Sequence, residues 1–261
     1  MASPPAADAA RHFELDLLQT ADVNGAEAVA RVRSAKAELG VVCAFGQLIK
    51  DPLLSELEML NVHPSLLPRW RGAAPIERAI MAGDAATGVT ILCVVAGLDS
   101  GPIALQTETS IHPEEDYGSL ARRLAEQAGE LLLRTLDLRA AGELELAEQD
   151  DSLATYAHKI APEERRLDPG LPAADLARRV RALNPHIGTY LELDGGERLG
   201  VAAASAEEGG ELGRGALVGD GALRLGCTDG VLRLDVVQPP GRRPMPAEAY
   251  LRGHPVPQLA G

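Results

Sequence analysis

The chain has 261 residues, with 25 Lys+Arg against 38 Asp+Glu and a net charge of −13, and its 46% hydrophobic content is enough for a real core. That length allows two domains of ordinary size. No run approaches the ~18 apolar residues of a membrane span, the start has neither the basic nor the apolar region of a secretory signal, and Cys43, Cys93 and Cys227 are too far apart for a disulfide framework or zinc knuckle, so a reducing cytoplasm is expected.

In chain order, the first half alternates strand-like and helix-like pieces. Residues 15–19 form a short apolar run expected as a strand. Residues 23–39 have helical spacing at Ala26, Val29 and Ala30, with Gly40 as the expected stop. Val41 to Phe45 reads as a strand buried on both faces and ended by Gly46. A short strand is expected at 59–62, a helix from Pro75 to Met81, and strands at 89–95 and 103–111. Tyr117 to Leu138 reads as an amphipathic helix, with Leu120, Leu124, Ala128, Leu131 and Leu138 on one stripe and Thr135 as its polar member. The alternation implies an α/β fold, with a Rossmann-like, mostly parallel sheet covered by helices over residues 1–150.

The texture then changes. Residues 151–170 are polar and proline-containing, and read as a linker. A helix is expected over 171–183, stopped at Asn184-Pro185. Short strands with glycine-rich turns follow, and Asp194-Gly195 and Asp229-Gly230 are hairpin signals. Residues 171–261 are therefore expected to form a small β domain, a barrel of OB type. The acidic balance argues against generic nucleic-acid coating. Yet residues 1–155 carry 12 Lys+Arg and 24 Asp+Glu, whereas residues 156–261 carry 13 and 14, so the second half is near neutral.

The usual nucleotide and hydrolase motifs, GxGxxG, GxxxxGK[ST], HExxH and GxSxG, are missing. One stretch stands out: Asn61-Val-His-Pro-Ser-Leu-Leu-Pro68, directly after an expected strand. In an open α/β sheet, ligands bind beyond the strand ends. Asn61 and His63 are two apart, so on extended chain they share a side. An amide donor and an imidazole aimed at one point suit a reaction that makes an oxyanion. A strand-end Asn and His are also common turn and cap residues. Asp99, in Gly97-Leu-Asp-Ser-Gly101, could reach His63 and raise its pKa, or could belong to an ordinary Asp-Ser-Gly turn. Cys43 and Cys93 read as small core residues, and His12, His112, His158, His186 and His254 as surface or turn residues.

Asn61-Val-His-Pro-Ser-Leu-Leu-Pro-Arg-Trp-Arg-Gly-Ala-Ala-Pro75, followed by Gly88-Val-Thr-Ile and Gly97-Leu-Asp-Ser-Gly101, closely resembles the folate-dependent formyltransferases. The Arg-Gly-Ala-Ala-Pro continuation, Arg181-Ala-Leu-Asn-Pro185 and Gln238-Pro-Pro-Gly-Arg-Arg-Pro-Met245 resemble the methionyl-tRNA formyltransferases within them, over essentially the whole chain. The resemblance implies that Asn61, His63 and Asp99 are a catalytic trio in a catalytic domain at 1–150. It implies a folate site lined by Ser65, Leu66, Leu67, Pro68, Phe45, Gly46 and Gly97. It also implies 10-formyltetrahydrofolate as co-substrate, methionyl-initiator tRNA as partner, no metal, no membrane and a monomeric chain. Arg242 and Arg243 are either solvated loop residues or contacts to tRNA phosphates. Another folate-dependent formyltransferase, a formyl-folate hydrolase, and an inactive truncated remnant remain as alternatives.

Members of the family begin with a strand, a helix, a second strand and a basic loop. Since such a unit takes ~30 residues or more, roughly 40–50 residues are expected to be missing at the front, by start-site misassignment or real truncation. The sheet is then expected to be discontinuous or abnormally closed, because unpaired buried backbone is costly.

Overall fold

The computed structural model of the protein describes residues 4–207, 210 and 212–260. Two helices, α1 (Pro5–His12) and α2 (Ala26–Ala35), precede strand β1 (Gly40–Cys43). A one-turn helix α3 (Leu53–Glu56) leads into β2 (Met59–His63), the short β3 (Arg71–Gly72) and α4 (Pro75–Ala82). Strands β4 (Ala86–Cys93) and β5 (Ile103–Ser110) and the long helix α5 (Tyr117–Ala141) complete the first half.

The sheet order is β1-β2-β4-β5. The α/β class is as expected. Within the described sheet, parallel pairing is confined to β1 and β2, while β4 runs antiparallel to both β2 and β5. Residues 94–102 alone connect β4 to β5, too short a link for a parallel crossover. Helix α5 is capped by Asp116, whose carboxylate accepts from the Ser119 N–H, and it ends at Gly142 with φ +73°. Its stripe buries Leu120, Leu124 and Leu131 against Leu60, Ile80 and Ile91. Thr135 is buried on the same stripe, and its hydroxyl donates to the Leu131 carbonyl at 2.8 Å, which satisfies it.

Several expectations at the front are corrected. Residues 15–19 are not a strand: among the described residues no strand pairs with them, and Leu15 is 62% exposed. The helix after Val23 ends at Lys36 in the left-handed region, and Gly40 opens β1 instead of stopping the helix. The strand from Val41 is not buried on both faces: Val41 and Phe45 are 45% and 44% exposed. The reason is position, since among the described residues β1 is the sheet edge and pairs with β2 alone. Cys43 is accordingly exposed rather than core, and Cys93 is half-buried. The four strands form one continuous sheet, so the expected discontinuity does not occur among the described residues.

Residues 151–170 run along the first half. Strand β6 (Tyr156–Ala157) pairs in parallel with β3, and the Arg78 guanidinium binds both Glu164 oxygens. Helix α6 (Ala173–Leu183) follows, then β7 (Thr189–Glu192), β8 (Arg198–Glu207), β9 (Leu217–Gly219), β10 (Leu223–Gly226), β11 (Val231–Gln238), β12 (Met245–Pro246) and α7 (Ala247–Gly253). Both expected hairpins form: β7 meets β8 across Asp194–Gly196, and β10 meets β11 across a turn with Gly230 at φ +75°. The sheet is antiparallel throughout, in the order β7-β8-β11-β10-β9 with β12 beside β11. Among the described residues no ladder joins β7 to β9, so where a barrel was expected the pairing path is open. Leu176, Ala177 and Val180 of α6 pack into the core of this sheet, while Ala182 of the same helix belongs to the first core. Among the described residues no helix is long and apolar enough to cross a membrane.

Candidate active site

Strand β2 carries Asn61 and His63 on one side, as period-2 geometry requires. Asp99 joins them by an unexpected route. Because β4 runs antiparallel to β2, its end at Cys93 lies opposite Leu60, away from His63, which faces Thr90. Residues 94–102 must therefore fold back, and they place Asp99 in a left-handed conformation with φ +46°. Gly101 permits this close approach: a Cβ there would sit 1.9 Å from the Cys93 carbonyl oxygen.

The three side chains meet. Asn61 Nδ2 donates to Asp99 Oδ1 at 3.0 Å, the Gly72 N–H donates to Asp99 Oδ2 at 2.8 Å, and His63 Nδ1 lies 3.6 Å from Asp99 Oδ2. Since a carboxylate only accepts, Asn61 must turn its NH2 toward Asp99, which leaves its second N–H for another acceptor. His63 is 4% exposed, and its Nε2 lies 2.9 Å from the Trp70 carbonyl oxygen. That oxygen also only accepts, so the neutral ring carries its proton on Nε2, and Nδ1 is left as a base facing Asp99. Burial pushes the His63 pKa below its ordinary value, against the opposing pull of the Asp99 carboxylate and the Trp70 carbonyl. The rise expected from Asp99 alone is thus outweighed by desolvation.

The loop after His63 is tied internally. The buried Ser65 hydroxyl donates to the Arg69 carbonyl at 2.7 Å, and the Thr90 hydroxyl donates to the Ser65 carbonyl at 2.7 Å. Gln106 Nε2 donates to the Leu67 carbonyl at 3.1 Å. Ser65 and Leu67 are thereby buried and hold the loop in shape, whereas Leu66 and Pro68 are half-buried. Phe45 and Gly46 are exposed and follow the end of β1, which leaves the sheet beside His63 because Cys43 pairs with Val62 in parallel. Gly97 is exposed in the Asp99 loop. Arg242 and Arg243 lie far along the chain on an exposed turn between β11 and β12.

Four contributors were missed by the sequence reading. The Trp70 carbonyl and Gly72 N–H are main-chain groups with no side-chain signature, although both lie in the motif quoted above. Asp84 accepts from Arg69 and from the Trp70 indole at 2.8 Å, steadying the residue whose φ is +65°. Gln149 binds the Asp99 loop from within the polar stretch after Gly142, where no motif marked it. Among the described residues no group of three or more His, Cys, Asp or Glu is placed to hold a metal ion.

Residues 2–136 match the model of the formyl transferase family, and residues 159–255 match that of the formyl transferase C-terminal domain. The chain belongs to the formyl transferase family. Among the relatives of this formyl transferase, one from a Methylobacterium species is 41% identical over 94% of the chain and 80% of the relative's length. One from Pseudomonas fluorescens is 43% identical over 91% and 75%. Both bear the name methionyl-tRNA formyltransferase. Among solved structures, HypX from Aquifex aeolicus in complex with tetrahydrofolic acid aligns with a TM-score of 0.65 at 21% identity, over 86% of this chain and 40% of that one. At that identity the likeness concerns the fold. A likely sugar N-formyltransferase from Mycobacterium tuberculosis aligns at 0.60 and 26% identity, over 74% of this chain and 88% of that one.

Proposed function

We propose that the protein transfers the formyl group of 10-formyltetrahydrofolate to the α-amine of methionine esterified to initiator tRNA, the modification that prepares this tRNA for translation initiation. The observation that carries the reading is identity of 41–43% across at least 91% of the chain to proteins named methionyl-tRNA formyltransferase. The site chemistry agrees with it. A formamide-type donor needs a hydrogen-bond donor for its oxygen and a base for the incoming amine. Asn61 has a spare N–H and His63 a free Nδ1, while exposed Phe45 and Leu98 offer apolar surface nearby in the chain for a pterin ring.

The chemistry follows from these atoms. The amine nitrogen attacks the formyl carbon, and the carbonyl oxygen becomes an oxyanion that accepts from Asn61, a contact worth about 3 kcal/mol. His63 Nδ1 takes the proton from the amine, and Asp99 stabilises the imidazolium so formed. His63 then returns the proton to the folate N10 as the bond between N10 and the formyl carbon breaks. The products are the N-formyl amide and tetrahydrofolate.

In this reading residues 1–150 are the catalytic domain, 151–170 the linker, and 171–261 the antiparallel β domain that binds tRNA, with Arg242 and Arg243 on phosphates. The protein acts as a monomer in the cytoplasm and needs no metal. The test offers labelled formyl-folate with four acceptors in parallel: initiator Met-tRNA, an elongator Met-tRNA, glycinamide ribonucleotide and an amino-sugar nucleotide. Transfer should go to initiator Met-tRNA and fall about 10²–10⁴-fold in His63→Ala. Preferred transfer to another acceptor, hydrolysis alone, or near-normal activity of the variant overturns the reading.

A further inference from the structure

Gln149 joins the two halves of the site with one side chain. Its Nε2 donates to the main-chain carbonyls of Asp99 at 2.9 Å and Gly101 at 2.8 Å. Its Oε1 accepts from Arg71 Nε at 3.1 Å and Nη2 at 2.8 Å. Arg71 is 3% exposed and also reaches Asp151 Oδ1 at 2.7 Å, so it is a fixed anchor. Its chain neighbours are Trp70, whose carbonyl meets His63 Nε2, and Gly72, whose N–H meets Asp99 Oδ2.

We propose that Gln149 is a positioning residue for formyl transfer, bolting the Asp99 loop to residues 70–72 so that the carboxylate faces both Asn61 and His63. The proposal rests on the formyl-transfer reading above and extends it. Two observations require such a bolt. The Asp99 loop leaves β4 at the end remote from His63, so the strand alone does not aim it. Asp99 also holds φ +46°, which a residue with a Cβ keeps only when its surroundings impose it. The bolt needs an amide. A glutamine has two donors on one atom and an acceptor with two lone pairs on the other, and all four are used here. A glutamate lacks the donors, and a methionine lacks both.

Gln149→Met tests this in the full chain, by steady-state formyl transfer and by NMR titration of the His63 imidazole, assigned by its loss in His63→Ala. The expected result is a kcat lowered between about 10- and 100-fold, with KM for the folate within about threefold of wild type. The His63 titration and the acidic limb of the pH profile should both move to lower pH, because a displaced Asp99 no longer supports the imidazolium. Gln149→Glu keeps the acceptors for Arg71 but sets a carboxylate oxygen against the Asp99 and Gly101 carbonyls, and should lose kcat to at least the same extent while circular dichroism still shows a folded chain. Native kcat in either variant overturns the proposal. So does a lowered kcat in Gln149→Met with an unmoved His63 titration, since that is a merely structural role. A wild-type chain that formylates no acceptor, but whose His63 titration still shifts in Gln149→Met, refutes the function reading and supports the bolt.

Discussion

Replacing Asp99 by Asn keeps the shape of the side chain and removes its charge and half of its accepting capacity. Both carboxylate oxygens accept now, Oδ1 from Asn61 at 3.0 Å and Oδ2 from the Gly72 N–H at 2.8 Å. In Asp99→Asn the new NH2 either opposes the Gly72 N–H, a donor–donor contact costing about 1–3 kcal/mol, or faces Asn61, which must then flip its amide and turn its own NH2 away. The charge loss acts on the imidazolium. With His63 Nδ1 3.6 Å from Oδ2, a unit-charge attraction at an effective dielectric near 20 is bounded at about 4.6 kcal/mol. At 3.6 Å the pair is not yet hydrogen-bonded, so the charge-assisted value of about 1.5–3 kcal/mol net applies once the imidazolium forms and closes on Oδ2. Taking about 3 kcal/mol for the transition state, kcat/KM should fall by about two decades. Asp99 raises the His63 pKa and desolvation lowers it, so without the carboxylate the acidic limb moves to lower pH while the plateau drops. The assay is kcat/KM for formyl transfer between about pH 5 and about pH 9, with circular dichroism to verify folding. A folded Asp99→Asn enzyme within about fivefold of wild type, with an unmoved acidic limb, would refute the reasoning.

Stability should depend on pH through the same imidazole. The folded pKa of His63 lies below its ordinary value of about 6.5, so the unfolded chain binds a proton that the folded site resists. Stability from this group is present above about pH 6.5 and is lost as pH falls from there toward the folded value. The urea midpoint should therefore drop less on acidification in His63→Gln than in wild type, and equal drops contradict the assignment. Gly72 holds φ +120°, and a Cβ there would lie 2.8 Å from the Ala157 carbonyl oxygen. Gly72→Ala should lose about 2–4 kcal/mol in urea unfolding and reduce activity as its N–H leaves Asp99, and an unchanged midpoint argues against the close approach. A doubly substituted Arg242→Ala, Arg243→Ala protein should show a higher KM for tRNA, an unchanged KM for folate, and a salt slope smaller by up to about two units. An unaltered slope removes these residues from the interface.

Much of the fold is visible along the chain because each segment states its own period. Leu120, Leu124 and Leu131 recur at helical spacing and are buried on one face of α5, and Asp-Gly turns mark both C-terminal hairpins. The strand at the front was misread because of its place in the sheet. Val41 and Phe45 look like core residues by composition, but burial depends on a neighbouring strand, and β1 has one on a single side. The candidate site was legible as residue types: Asn61 and His63 two apart, Asp99 between glycines. Its geometry was not. Nothing local says that β4 runs antiparallel to β2 and that the Asp99 loop must fold back. Nor does anything local say that the His63 imidazole loses more to burial than it gains from Asp99.

The acidic average of the chain resolves into a first half that carries nearly all the excess negative charge and a second half that is near neutral. Local chemistry was enough for most of the elements after Gly46, for both hairpin turns and for the residue types of the candidate site, because propensity, period and motif act over a few positions. Strand direction, edge status, the tautomer of His63 and the role of Gln149 came from packing. They depend on groups as far apart as Arg71 and Gln149, separated by 78 residues, and no short-range rule links such groups before the chain has folded.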